Sequence, residues 1–136
     1  MPVPPKLGAS PVRVLVVDDE PAVTQMIALA IHTAHPEYEV TEAHDGFRAG
    51  TLVANLSPDV VILDLRMPGM DGHEVCRLIK SQEKTRHITV LAMTAHPTPE
   101  NQSEILNCGA RVCLNKPLDI EKLLGEIELA RKTTEE

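Results

Sequence analysis

The sequence predicts an α/β fold of five strand-helix units on one parallel sheet. Three observations carry this. From Pro11 onward, apolar runs of four to seven residues alternate with longer stretches of helical period. The run at 60–63, Val-Val-Ile-Leu, shows no polar alternation, as a strand covered on both faces requires. Two runs end in acids: the first meets Asp18-Asp19-Glu20, and 60–63 meets Asp64 just ahead of Arg66-Met67-Pro68-Gly69.

Residues 1–10, rich in Pro and Gly and without helical or strand period, read as a disordered lead-in. The first strand is expected over 12–18. Pro21 falls in the first turn of the next helix, whose stripe is Ala22, Val23, Met26, Ile27, Ala30, Ile31 and Ala34, and Pro36 closes it. Strand two, 38–43, alternates Tyr38 and Val40 with Glu39 and Thr41, which places it at a sheet edge. Asp45 is the expected N-cap of helix two, which turns Phe47, Leu52, Val53 and Leu56 inward and stops at Ser57-Pro58. Strand three, 59–64, is central. Helix three, 71–82, offers Val75, Leu78 and Ile79 to the sheet, and strand four covers 88–94. Thr98-Pro99 supplies an N-cap and first-turn pair for helix four, and Gly109 a left-handed stop. Strand five is 111–115. Helix five opens at Asp119 with Ile120, Leu123, Leu124, Ile127 and Ala130 on one face, leaving 132–136 as a frayed tail and setting the folded domain at 11–131.

One domain accounts for the 136 residues, and a second would not fit. Phe47 and Tyr38 are the only large aromatics, so the core is built from Val, Ile, Leu, Met and Ala, and nothing offers nucleic-acid bases a stacking platform. Twenty acids against 13 bases, a net charge of -7, disfavour phosphate backbones and anionic lipid, so neither nucleic acid nor membrane is an expected partner. Cys76, Cys108 and Cys113 are odd in number and lack CxxC spacing, which argues against a zinc site or disulfide framework and for a reducing compartment. No apolar stretch reaches the ~18 residues of a membrane span, and 1–10 lacks a signal peptide's apolar region, so a cytoplasmic location is expected.

Ligands of open parallel sheets gather just outside the carboxyl ends of the strands. Asp18, Asp19, Asp64, Thr94 and Lys116 all fall at or just past such ends. Three clustered carboxylates repel one another unless a cation neutralises them, and a hard divalent ion such as Mg²⁺ is the natural partner of carboxylate, carbonyl and water oxygens. Lys116 adds further positive charge. Such a site suits phosphoryl transfer, with Asp64 as the nucleophile that becomes an aspartyl phosphate. Singly, Asp18 and Asp19 would pass for helix-dipole acids worth at most about 1 kcal/mol, Lys116 for a surface lysine and Thr94 for a strand end. Their convergence carries the reading.

Val17-Asp18-Asp19, Asp64 with Met67-Pro68-Gly69-Met70-Asp71-Gly72, Thr94-Ala95 and Lys116-Pro117 resemble, in order, the motifs of response-regulator receiver domains, over about residues 12–131. The resemblance implies a flavodoxin-like doubly wound sheet of strand order 2-1-3-4-5. It implies a domain that takes a phosphoryl group from the histidine of a sensor kinase or phosphotransfer protein and signals to a downstream protein or fused output domain. By matching position, Asp64 resembles the phosphoacceptor, Asp19 a direct Mg²⁺ ligand, Asp18 a ligand acting mainly through water, and the carbonyl of Arg66 the group that completes the metal shell. Thr94 resembles the hydroxyl that swings to the phosphoryl group and Lys116 the ammonium that contacts it, with a cis peptide bond before Pro117. In the family, the positions of Arg66 and His96 tune the lifetime of the acyl phosphate. One departure matters: receivers usually carry Tyr or Phe three residues before the lysine, and this chain has Cys113, so the ring-flip readout is absent and coupling from Thr94 must be weaker or carried otherwise.

Other readings part from this one on visible features. Aspartyl-phosphate phosphatases generally place a second Asp two residues after the nucleophile, where Arg66 stands. A flavin-binding electron carrier of this fold needs a Ser/Thr/Gly-rich loop after strand one and aromatics around the ring, and neither is present. A degenerate receiver, an interaction module acting without phosphorylation, stays open because of Cys113. His32 and His35 lack a third ligand and read as a solvated helix end, and His44, His73 and His87 as surface residues. Cys76 and Cys108 read as small buried hydrophobes, Cys113 as partly exposed, and Met67 and Met70 as loop packing.

Overall fold

Residues 11–69 and 71–135 are described by the computed structural model, with side chains up to Arg131; the lead-in expected at 1–10, Met70 and Glu136 lie outside the described residues. Side chains along a strand alternate between its two faces, and here both faces are apolar. Val14 and Val16 of β1 (Arg13–Val17), with Val60 and Ile62 of β3 (Val60–Asp64), join one core; Leu15, Val17, Val61 and Leu63 join the other. This is why neither strand shows polar alternation, and β3 is buried at every position.

With β2 (Glu39–Ala43), β4 (Thr89–Thr94) and β5 (Val112–Asn115) they form a parallel sheet in the expected order β2-β1-β3-β4-β5. β2 is exposed or half-buried until Ala43, as an edge strand should be. Helices α1 (Pro21–Ala34) and α5 (Ile120–Glu135) cover one face with Ile27, Ile31, Leu123, Ile127 and Ala130. Helices α2 (Gly46–Leu56), α3 (Gly72–Ser81) and α4 (Pro99–Asn107) cover the other with Leu52, Val53, Val75, Ile79 and Ile105. The side chains of Asp45, Asp71 and Thr98 cap α2, α3 and α4 by accepting the N–H groups of Arg48, Glu74 and Asn101. Gly109, at φ +111°, provides the left-handed stop after α4.

The buried helix faces are narrower than periodicity suggests. α1 buries Thr24, Ile27 and Ile31, and Met26 of the expected stripe is 47% exposed. Thr24 is admitted to the interior because its hydroxyl is bonded to the carbonyl of Pro21 and the carboxylate of Glu42. Phe47 is 69% exposed, its ring beside Gly69 instead of inside α2's packing face. Leu78 lies on the flank of α3 over Gly50 of α2, not on the sheet. α5 continues to Glu135, so the helix does not end at residue 131 and the expected tail is helical through Glu135.

Gly72 joins this frame to the functional edge. It opens α3 against the end of β3, its N–H donating to the carbonyl of Leu65 at 3.2 Å. A Cβ there would lie 2.7 Å from the Cα of Leu65 and press on the carbonyl oxygen of Asp64. Gly72→Ala is therefore expected to cost about 1–3 kcal/mol through overpacking against backbone. Gly125→Ala, where a Cβ meets nothing within 4 Å, should gain up to about 1 kcal/mol from helix propensity. Urea unfolding midpoints check both, and an unchanged midpoint for Gly72→Ala would show that the loop yields freely.

Candidate functional site

β1 and β3 deliver their acids to one edge of the sheet. Asp18 directly follows β1; its N–H bonds the carbonyl of Ala43 at 3.1 Å, which extends the ladder and leaves Asp18 with no exposed surface. Asp64 is the last residue of β3 and is 5% exposed. Lys116 arrives from the turn after β5, its N–H on the carbonyl of Thr94 at 2.8 Å and its peptide to Pro117 cis, as the resemblance implied. Its Nζ lies 2.7 Å from Asp18 Oδ2 and 3.4 Å from Asp64 Oδ1. Asp18 Oδ1 accepts the N–H of Glu20 at 2.9 Å, so both oxygens of this carboxylate are engaged. Asp19 is exposed, and one carboxylate oxygen from each of Asp18, Asp19 and Asp64 lies within 4.8 Å of the others.

The electrostatics are unbalanced. Burial, and then the neighbouring charge of Asp18, push the Asp64 carboxyl up from 3.8 to about 6, and Lys116 and the N–H of Arg66 only partly offset them. Burial disfavours the charge on Lys116, but its hydrogen bond to Asp18 and the charges of Asp64 and Asp18 outweigh burial and hold the ammonium above the usual lysine range. One lysine thus leaves the acids short of positive charge. The donors are all hard oxygens, which suits a divalent cation of the Mg²⁺ type.

Thr94 ends β4 and is buried; its Oγ1 accepts the N–H of His96 at 3.0 Å. Beside it is a pocket of about 260 Å³ whose lining includes Arg66, His73, His96 and Asn101. The side chains of Arg66 and His96 are exposed, and the N–H of Arg66 lies 3.4 Å from Asp64 Oδ1. All six residues singled out as site members, Asp18, Asp19, Asp64, Arg66, Thr94 and Lys116, therefore lie at this edge or in the loop that borders it. Cys113 is half-buried in β5 opposite Ala92, and burial raises its thiol.

Two histidines, His73 and His35, sit differently from the sequence reading, while His44 is exposed as expected. The His73 side chain is 14% exposed, with Nε2 3.6 Å from Glu104 Oε1 across the α3–α4 gap. His35 stacks on Tyr38 at 4.3 Å and has Glu37 and Glu128 within 3.5 Å of its ring nitrogens, so it braces α1 against α5. His44 Nε2 lies 3.0 Å from Thr24 Oγ1. Glu104, Glu128 and Thr24 lie on other elements, which is why periodicity gave no sign of these contacts. Asn101 also went unremarked: its side-chain amide donates to the carbonyl of His96 at 2.9 Å. Its place three residues after the cap Thr98 was the available signal.

The sequence model of the response regulator receiver domain family matches residues 14–128. Among curated relatives, the DNA-binding dual master transcriptional regulator RpaA of Synechocystis sp. is 34% identical over 122 residues, covering 89% of this chain and 50% of that protein. The response regulator PleD of Caulobacter vibrioides is 38% identical over 115 residues, 85% of this chain and 25% of PleD. The chain thus spans half or less of these relatives. Among solved structures, the signal receiver domain of a DNA-binding response regulator from Colwellia psychrerythraea superposes with a TM-score of 0.85 at 36% identity, covering 89% of this chain and 98% of that one. The Vibrio cholerae chemotaxis protein CheY4 does so with a TM-score of 0.82 at 31% identity, covering 89% and 99%.

The charge imbalance has a thermodynamic signature. With its folded-state carboxyl displaced from 3.8 to about 6, Asp64 loses stability for the fold as it ionises through that window, and the loss is complete above it. Asp64→Asn should raise the stability of the metal-free protein at neutral pH by about 1–2 kcal/mol. Lys116→Met should lower it by about 2–4 kcal/mol, since it strips the cation from a buried acid. Urea unfolding in the presence of a chelator reads both, and a less stable Asp64→Asn would refute the imbalance.

Proposed function

The chain belongs to the response regulator receiver domain family, and from that premise we propose that it is a phosphorylation-activated switch with Asp64 as phosphoacceptor. Receiver domains are signalling modules of two-component systems and do not turn over a separate substrate. The observation that carries the specific reading is the ammonium of Lys116 lying 2.7 Å from buried Asp18 and 3.4 Å from Asp64. It gives the nucleophile a fixed cation on one side and leaves the other open to a phosphoryl group.

In this reading a carboxylate oxygen of Asp64 attacks the phosphorus of a phosphohistidine on a sensor kinase or phosphotransfer protein. A P–O bond forms as the P–N bond breaks, and the imidazole leaves. Lys116 contacts one phosphoryl oxygen and the Thr94 hydroxyl donates to another, sharing the charge that spreads over the three. Mg²⁺ would be held by Asp19, Asp64 and the carbonyl of Arg66, with Asp18 reached through water because its own oxygens are engaged. When bound, the ion supplies the positive charge the three acids lack and screens them from the incoming anion. The self-catalysed chemistry stops at loading and loss of the phosphoryl group.

The output is binding. A phosphoryl group shifts the population of two conformations only through groups that contact it differently in each, and Thr94 and Lys116 are those groups. The recipient is a downstream protein or a fused output domain, in keeping with relatives at least twice as long as the matched region. The acidic balance favours neither nucleic acid nor membrane as a direct partner of this domain, and among the described residues no helix is long and apolar enough to cross a membrane. We place the domain, from residue 11 to the end of α5, in the cytoplasm. Half-buried Cys113, where an aromatic ring is usual, favours a second reading, a receiver that signals by contact without phosphorylation.

Incubation with acetyl phosphate, with and without Mg²⁺, followed by intact-mass measurement, separates the two. A metal-dependent gain of one phosphoryl group, absent in Asp64→Asn, is the expected result. No gain while Mg²⁺ still binds would transfer the assignment to the contact-only receiver.

A further inference from the structure

The geometry points to Asn101 as the positioning residue that couples Thr94 to α4 in place of an aromatic ring on β5; the inference rests on the reading of Thr94 as the hydroxyl that turns to the phosphoryl group. His96 stands between the two. Its N–H donates to Thr94 Oγ1 at 3.0 Å, and its carbonyl accepts the side-chain amide of Asn101 at 2.9 Å and the N–H of Thr98 at 2.9 Å. The carbonyl can bind only a donor, so the orientation of the Asn101 amide follows from the contact. Thr98 Oγ1 then caps the N–H of Asn101 at 3.1 Å, which makes the first turn of α4 one bonded unit with His96.

Thr94 belongs to a rigid buried strand, so its freedom is rotation about Cα–Cβ. Turning the hydroxyl toward Asp64 takes it off the N–H of His96. Residues Ala95 to Glu100 are all exposed, so little packing resists their displacement. Pro97 and Pro99 lock two of the φ angles between His96 and α4, so movement at His96 passes to the helix as a unit instead of being lost in the loop. Further along, Glu104 faces His73 of α3 at 3.6 Å.

Amide hydrogen exchange over residues 98–102 tests the relay in the unphosphorylated full chain. Thr94→Ala and Asn101→Asp, the latter isosteric but unable to donate, should each speed exchange about five- to tenfold, the effect of one lost hydrogen bond. The double variant should exceed neither by much, and Thr94→Ser should restore protection. Effects that multiply in the double variant, or no rescue by Ser, overturn the proposal. With acetyl phosphate and Mg²⁺, wild-type exchange should move to the Thr94→Ala value. Asn101→Asp should load within about twofold of the wild-type rate yet show no further change. Loading without a change in wild-type exchange refutes the relay. If the wild type takes no phosphoryl group, the function proposed above fails while the double-variant comparison still decides the relay.

Discussion

A carboxylate with no exposed surface must be given a cation, and for Asp18 that cation comes from the far end of the chain. Removing an ion from water costs several kcal/mol even after relaxation, and the 2.7 Å contact with Lys116 is what makes the position tolerable. Meeting this need dictates much of the architecture. β5 has to lie beside β4, its following turn has to fold back over the strand ends, and the N–H of Lys116 anchors that turn on the carbonyl of Thr94. The hydroxyl and the ammonium assigned to sensing are thereby attached to one another through backbone before any ligand is present.

The parts of this structure legible in sequence are those governed by local rules. Continuous apolar runs named the inner strands because covering both faces leaves no room for polar alternation. Asp45, Asp71, Thr98 and Gly109 punctuate helices through bonds to residues a few places away. The site was legible for a related reason: in a parallel sheet the strand ends coincide, so acids after β1 and β3 had to meet. The side chains that escaped are governed by partners on other elements. Met26 and Leu78 have helical spacing appropriate to the core, but each helix offers the sheet a stripe too narrow to include them. Phe47 is the strongest hydrophobe of its helix and yet lies beside Gly69, a position only the path of the β3–α3 loop determines. His73 reads as a surface residue until Glu104 of α4 is set opposite it.

Cys113 shows how a departure in sequence becomes a question about mechanics. A small side chain on β5, packed into the α2–α3–α4 core, has no lever to move when Thr94 turns. The bonds from Thr94 run instead through His96 into the first turn of α4. Such a path is made of two backbone groups of one residue and one side-chain amide, and it works by exchange of partners in place of a moving ring. The exposed side chain of His96 takes no part.

The span between Asp18 and Lys116, 98 residues, bears on how the protein is made. Each strand of a parallel sheet must wait for its neighbours to be brought back by an intervening helix, and such non-local pairing is slow compared with local structure. Because β1 leaves the ribosome before the other strands of this sheet and Lys116 follows the last of them, the acid is born without its counter-ion. It stays solvated until the turn after β5 has been synthesised. Competence therefore comes late and all at once, and a nascent or truncated chain holding the acids alone would not possess the completed centre.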